Sequence, residues 1–294
     1  MFERNKYKDA GENAVFTDDH VASIKYDGAN YFVPIDSQGR PRFFSRRESV
    51  KPGVGYPDRT ESLPHLASAR LPQYAGNVYN VELIHTGHDR ANQESHRQVS
   101  GILNSLPDRS RAVQQALGPV RAVIHNVVNP VFARREDALT HMKEVADAWG
   151  APDLVYVPSY ARGPVAIKTM IDLTRRRGQE GVVVSSLSQR SDSPLIKVKH
   201  KVHFNLLVVG MTEAIDKHGQ KKGVMGALEA ADASGKVVAS VGSGFSASQR
   251  KEAFAHPDLW IGRAIQVESM GFSAKRLRMP IYNGDADGDI DLVT

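Results

Sequence analysis

Cysteine is absent from the 294 residues. That excludes disulfides, thiolate metal sites and cysteine nucleophiles, and says little about compartment. No apolar run approaches the roughly 20 residues that a membrane span needs. The start, Met1-Phe2-Glu3-Arg4-Asn5-Lys6, is polar and lacks the apolar core of a signal peptide, so a cytoplasmic protein with no membrane partner is expected. There is no internal repeat and no low-complexity tract. Basic residues are missing from the last dozen positions, which carry Asp285, Asp287, Asp289 and Asp291.

What is present fits a globular chain. Apolar residues make up 41% and charged residues 24%, enough for a core in one large or two ordinary domains. The formal net charge is +5, and the acidic end makes the remainder more basic than that total. A modest basic excess suits a polyanion partner without identifying one.

Periodicity gives an outline. Strands are expected at 21–25, 31–35 and 42–45, the last two flanking an Asp36-Ser37-Gln38-Gly39 hairpin turn. Residues 48–77, rich in Pro, Gly and Ser, read as a long surface excursion. A strand at 78–84 and a polar helical stretch at 91–117 follow, then an apolar strand at 120–128. Helices are expected at 134–149, from Ala138, Met142, Val145, Ala146 and Trp149, and at 165–177, ending in Arg175-Arg176-Arg177 before Gly178. Strands at 154–157, 181–186 and 194–200 complete this half. Beyond about 201–203 the texture changes to short strands joined by glycine turns, at 205–211, 224–230, 236–241 and 265–270. A helix capped by Ser246 lies among them. This pattern suggests a small Greek-key barrel of the OB type. The expected class is α+β: antiparallel sheets with flanking helices over 1–201, then a β-barrel over 202–294 with a solvated acidic C-terminal tail.

Candidate chemistry begins at Lys25-Tyr26-Asp27-Gly28, where a buried strand meets a turn. A lysine nucleophile must be a neutral amine, and burial among cations favours that form. Asp27 points to the same side of an extended chain as Lys25, and Gly28 permits close approach of a ligand. Glu82 sits inside an apolar strand and needs a partner, either a ligand or an arginine such as Arg46. Glu180 heads the Val182-Val183-Val184 strand. Lys197 and Lys199 alternate on one strand face, where two like charges invite an anion between them. Taken singly, each has a bland reading: a surface lysine, an Asp-Gly turn, a solvated glutamate, an edge strand guarded by lysines. His85 and His88 lack a clear third metal ligand, and the Asp285–Asp289 acids lack the spacing of a calcium loop.

As an ordered set these motifs resemble the ATP-dependent DNA ligases of the lysine nucleotidyltransferase superfamily, along residues 21 to 282. Lys25-Tyr26-Asp27-Gly28 resembles the adenylation motif and Ser45-Arg46 the Ser-Arg after it. Glu82, Glu180-Gly181-Val182-Val183-Val184 and Ile196-Lys197-Val198-Lys199 resemble the third, fourth and fifth motifs. Gly223-Val224-Met225-Gly226-Ala227-Leu228 and Val241-Gly242-Ser243-Gly244-Phe245-Ser246 resemble the signature strands of the ligase OB domain. Arg276-Leu277-Arg278-Met279-Pro280-Ile281-Tyr282 resembles the lead-in to the last motif.

The resemblance implies ATP as cofactor with magnesium, or manganese in its place, and nicked duplex DNA as partner of a monomer. It implies Lys25 as nucleophile and Ile24, Asp27, Gly28, Arg46, Glu82, His125, Lys197 and Lys199 around the nucleotide. His125 falls where the family has an adenine-stacking aromatic. Glu180 and Asp27 are the implied metal residues. DNA contacts are expected from a cleft between the domains, with Lys217, Lys221 and Lys222 in a barrel loop and Arg109, Arg111, Arg276 and Arg278 elsewhere. The short stretch before Lys25 suggests a minimal ligase. Three departures stand out. Asn30 replaces an arginine five residues after the nucleophile, Asn80-Val81 replaces the Asp-Gly before Glu82, and Asn283-Gly284-Asp285-Ala286-Asp287 replaces a basic Arg-x-Asp-Lys end. Lys275 or Arg276 is the expected substitute in the last case. The alternatives are an RNA ligase or capping-type enzyme, and a non-catalytic nucleic-acid binder.

Overall fold

A computed structural model describes residues 7–49, 53, 55–85, 95–273 and 276–293. The chain divides into two compact units, Met1–Lys199 and His200–Thr294. The first unit runs β1 (Tyr7–Ala10), β2 (His20–Ile24), β3 (Ala29–Pro34), β4 (Phe44–Ser45), α1 (Pro64–Ala67), β5 (Val78–His85), α2 (Ser95–Leu103) and α3 (Pro107–Leu117). It continues through β6 (Val120–Asn129), α4 (Arg135–Ala148), β7 (Val155–Tyr156), β8 (Tyr160–Arg162), α5 (Gly163–Arg176), β9 (Gly181–Ser186) and β10 (Leu195–Lys199). Two five-stranded sheets result, ordered β1-β10-β9-β2-β8 and β4-β3-β5-β6-β7. Every pairing in them is antiparallel except β1 with β10 and β6 with β7.

Each sheet buries one face under a helix whose apolar residues recur at helical spacing. Ile167 and Ile171 of α5 pack with Ala22, Val182, Val184 and Val198. Ala138, Met142 and Val145 of α4 pack with Val81, Leu83, Ala122 and Ile124.

Within the excursion expected over 48–77, residues 60–74 are instead part of this second core. Leu63, Leu66 and Leu71 are fully buried, and the Trp149 indole donates to the Leu66 carbonyl at 2.9 Å. The segment folds as short helical turns at Thr60–Ser62, Pro64–Ala67 and Pro72–Tyr74. Pro64 and Pro72 start two of them, with φ already set and no N–H to satisfy. Turns of three or four residues are too short to show a periodic apolar pattern. The expected single helix over 91–117 is two, because Pro107 opens a second one; residues 91–94, like His88 and Lys275, lie outside the described residues.

The second unit comprises β11 (Val202–Ile215), β12 (Lys221–Ala231), β13 (Val237–Val241), α6 (Ala247–Ala255), β14 (Ala264–Ser269), β15 (Phe272–Ser273), β16 (Arg276–Leu277) and β17 (Ile281–Asp285). One antiparallel sheet has the order β13-β12-β11-β14-β17. Its two edges meet at a single bridge, Ser243 to Ile281, where Tyr282 N–H donates to the Ser243 carbonyl at 2.9 Å. No continuous ladder among the described residues closes it into a barrel. Ser246 caps α6 with a reciprocal box: Gln249 N–H donates to its Oγ at 3.2 Å and Ser246 N–H donates to Gln249 Oε1 at 2.8 Å.

The acidic end keeps Asp285, Asp287, Asp289 and Asp291 exposed, as expected, but it is anchored rather than free. Asp291 accepts from Asn205 N–H at 2.7 Å, and Val293 is buried in the core of this unit. Asn205 lies where β11 pairs with β14 but not yet with β12, and the carboxylate satisfies the backbone donor left open there.

Leu66→Ala should therefore cost about 2–5 kcal/mol, read as a lower urea midpoint at unchanged slope. A loss within about 0.5 kcal/mol, as expected of a surface residue, would return the segment to the surface.

Candidate functional site

β2 ends at Ile24, which pairs with Val182 of β9. The next residue, Lys25, donates its backbone N–H to the Gly181 carbonyl at 2.9 Å. This register sets Lys25 beside Glu180, which immediately precedes β9. The Lys25 Nζ lies 2.5 Å from Glu180 Oε2, with the two side chains only 19% and 10% exposed. Gly181 also lets β9 close on β10 beside the pair. Its φ is +142°, and a Cβ there would fall 2.0 Å from the Val198 carbonyl of β10.

On β10, Lys197 stands opposite Val183 and Lys199 opposite Gly181. The Lys197 ammonium sits 3.6 Å over the Tyr7 ring. Burial lowers the Lys197 pKa, and the charges of Lys25, Lys199 and Arg46 push it the same way against Asp9. Four cations thus share one neighbourhood, an arrangement suited to a bound anion.

The turn after Asp27 leads into β3. Gly28 N–H donates to Glu82 Oε1 at 3.1 Å, and a Cβ at Gly28 would lie 2.3 Å from the Leu83 carbonyl. Asn30 of β3 stands opposite Glu82 of β5. Its Nδ2 donates to Glu82 Oε2 at 3.1 Å and lies 2.8 Å from His125 Nε2. His125 occupies a β-bulge: Asn80 pairs with Asn126 and Val81 with Ile124, leaving His125 as the extra residue. These partners replace the arginine expected for Glu82. Arg46 instead donates its backbone N–H to the Asn30 carbonyl at 3.3 Å, while its charge reaches His125 and Lys197.

Burial pushes the Glu82 carboxyl up to about 7, against the opposing pull of Lys25, Asn30 and Gly28. Burial also pulls His125 down to about 4, helped by the positive charges of Lys25 and Arg46. The imidazole is therefore a neutral group at neutral pH, able to accept or donate a hydrogen bond without adding charge.

The expected nucleotide set is thus brought together in the first unit. The pattern of the sequence missed Asn30 as a participant, reading it only as a lost cation. It also missed Tyr7 and Asp9, on an edge strand with no apolar alternation to betray it. Among the described residues no group of three or more His, Asp or Glu side chains could hold a metal ion. His85 meets the Gly118 carbonyl at 3.0 Å and is buried.

The expected DNA contacts are dispersed. Arg109 is exposed on α3. Arg111 is tied to Asp108 and to the Glu61 carbonyl. Lys217 and Lys222 are exposed at the β11–β12 hairpin, whereas Lys221 pairs with Glu213 at 3.3 Å. Arg276 pairs with Glu229 at 3.5 Å, and the Arg278 backbone bonds Met270 and Gly271. In place of the expected basic end, Asn283 and Asp285 lie on strand β17, with Asn283 donating to Gln266 at 2.6 Å and Asp285 paired with Arg263.

No protein-family model matches the chain, and no curated protein sequence matches it. Solved structures do. A Lig E DNA ligase superposes with a TM-score of 0.71 at 17% identity, covering 97% of this chain and 100% of its own. Pmar-Lig_PreS3 superposes at 0.66 and 16% identity, over 90% of this chain and 63% of its own. The ATP-dependent DNA ligase from bacteriophage T7, in complex with ATP, superposes at 0.50 and 16% identity, over 96% and 98%. The chain has the fold of the DNA ligases. That fold is α+β, with several antiparallel sheets and few helices.

The His125 ring should stay neutral down to about pH 5, given its pKa near 4, as read from its ¹⁵N chemical shifts. Titration near the ordinary value of 6.5 would contradict the buried, cation-flanked site.

Proposed function

We propose that this chain is an ATP-dependent DNA ligase that seals nicks with 5′-phosphate and 3′-hydroxyl ends through a covalent Lys25–AMP. One observation carries the reading. A lysine held at a strand junction by Glu180 shares a neighbourhood with Lys197, Lys199 and Arg46, in a fold common to DNA ligases. The ATP complex of the bacteriophage T7 enzyme supports ATP as the nucleotide.

The reaction runs as three phosphoryl transfers, in which positioning and charge neutralisation supply most of the catalysis. The neutral Lys25 amine attacks the α-phosphorus; the bond to the pyrophosphate oxygen breaks, and the amine proton leaves. The DNA 5′-phosphate then attacks that phosphorus, and the phosphorus–nitrogen bond breaks. Finally the 3′-hydroxyl attacks the DNA 5′-phosphorus, and AMP departs with the bridging oxygen. Lys197 and Lys199 spread the anionic charge, with Arg46 beside them. Ile24, Asp27, Gly28, Glu82 and His125 shape the nucleotide pocket.

A magnesium ion needs only one or two protein carboxylates when phosphates and water fill its other positions. Glu180 and Asp27 fit that requirement, and the described residues offer no fuller cage. The ion would supply charge neutralisation on the phosphates. We assign the second unit as an OB fold, from its five-stranded antiparallel sheet, its intervening helix and the bridge between its edges. Exposed Lys217, Lys222 and Arg109 are the assigned DNA phosphate contacts. Lys221, Arg111, Arg276 and Arg278 would have to exchange present partners to join them. Binding through phosphates predicts strong salt dependence and no sequence preference.

The test is incubation with α-labelled ATP followed by a chase with nicked duplex. Label should appear on the protein, pass to the DNA 5′ end, and leave as AMP as the nick closes. An adduct that seals only RNA would favour the RNA-ligase reading; no adduct and no sealing would leave a nucleic-acid binder.

A further inference from the structure

Asn30 presents two hydrogens and one oxygen to a crowded site. Its Nδ2 lies 3.1 Å from Glu82 Oε2 and 2.8 Å from His125 Nε2, so one amide serves both neighbours. The orientation follows with Glu82 ionised, above its value of about 7: turned over, the amide would set a carbonyl oxygen against a carboxylate. With Nδ2 donating, His125 Nε2 is the bare nitrogen and the ring proton sits on Nδ1. That leaves Asn30 Oδ1, which is buried and has no hydrogen-bond donor. A buried amide oxygen without a partner is rare in a native protein and needs an explanation. The charge of Lys25 acts on both Glu82 and His125, the two partners of the Asn30 amide, so the unfilled acceptor lies in the neighbourhood of Lys25.

We propose that Asn30 is a nucleotide-specificity residue: Glu82 and His125 occupy its Nδ2, and its Oδ1 accepts a hydrogen bond from an O–H or N–H donor of the bound nucleotide. The proposal rests on the nucleotidyl-transfer reading of Lys25. It gives the departure from arginine a purpose, because a guanidinium has five donors and no acceptor. In ATP the candidate donors are the ribose hydroxyls and the exocyclic amine of adenine.

Four triphosphates separate those sources: ATP, 2′-deoxy-ATP, 3′-deoxy-ATP and the purine analogue lacking the 6-amino group. Adduct formation is timed with wild type and with Asn30→Ala. On wild type one analogue should react roughly tenfold slower than ATP, the effect of leaving one buried acceptor unpaired. In Asn30→Ala that gap should shrink below about threefold, a coupling that a merely structural role would not produce. The proposal is overturned if every analogue keeps pace with ATP on wild type, or if the gap survives Asn30→Ala unchanged. A second measurement needs no variant. The ¹⁵N shifts of His125 should report the Nδ1–H tautomer; an Nε2–H ring would turn the Asn30 oxygen toward it, fill the acceptor and refute the proposal. Failure of the ligase reading shows separately, as no adduct from ATP itself on wild type. Equilibrium binding of the same four compounds then makes the same comparison, and absence of all binding removes both readings.

Discussion

The contact between Lys25 and Glu180 is the constraint on which the site depends. Removing an ammonium and a carboxylate from water is costly unless each satisfies the other. Here both are mostly enclosed, 2.5 Å apart, and joined through adjacent antiparallel strands. The pair fixes where the amine sits before any ligand arrives. It also sets a condition on chemistry, since an ammonium engaged with a carboxylate has no lone pair to give. The contact must open and a proton must leave before the nitrogen can form a bond.

Around that pair both sheets of the first unit contribute, with Arg46 following β4 of the second sheet. The β10-β9-β2 sheet brings cations: Lys197, Lys199 and Lys25 itself. The β3-β5-β6 sheet brings a hydrogen-bonded cluster of Asn30, Glu82 and His125, in which burial raises the Glu82 pKa to about 7 and lowers that of His125 to about 4. On the proposed reading, the phosphates of a nucleotide would meet the cations and its nucleoside the cluster. Glycine at 28 and 181 lets strand backbones close to distances that any side chain would forbid.

Much of this was legible in the sequence, for physical reasons. The run Val182-Val183-Val184 is β-branched, and α4 and α5 carry apolar residues at helical spacing, so their burial wrote a pattern. Lys25, Glu180, Lys197 and Lys199 stood out because charge at the ends of such strands demands a partner. What stayed hidden depended on tertiary contacts. β1 and β8 are short edges whose pairing is decided elsewhere in the chain. Leu63, Leu66 and Leu71 are buried from turns too brief to show a period. The bulge that carries His125 is a matter of register between β5 and β6. Asn30 could be seen only as a missing arginine until its two partners lay beside it.

The central claim is that the Lys25 amine forms the covalent bond to AMP. Proteolysis of the ATP-treated protein and peptide sequencing by mass spectrometry test it most directly. The account predicts a single acid-labile adenylyl group on Lys25, absent from Lys25→Ala. An adenylyl group on another residue, or one that persists in Lys25→Ala, would contradict it.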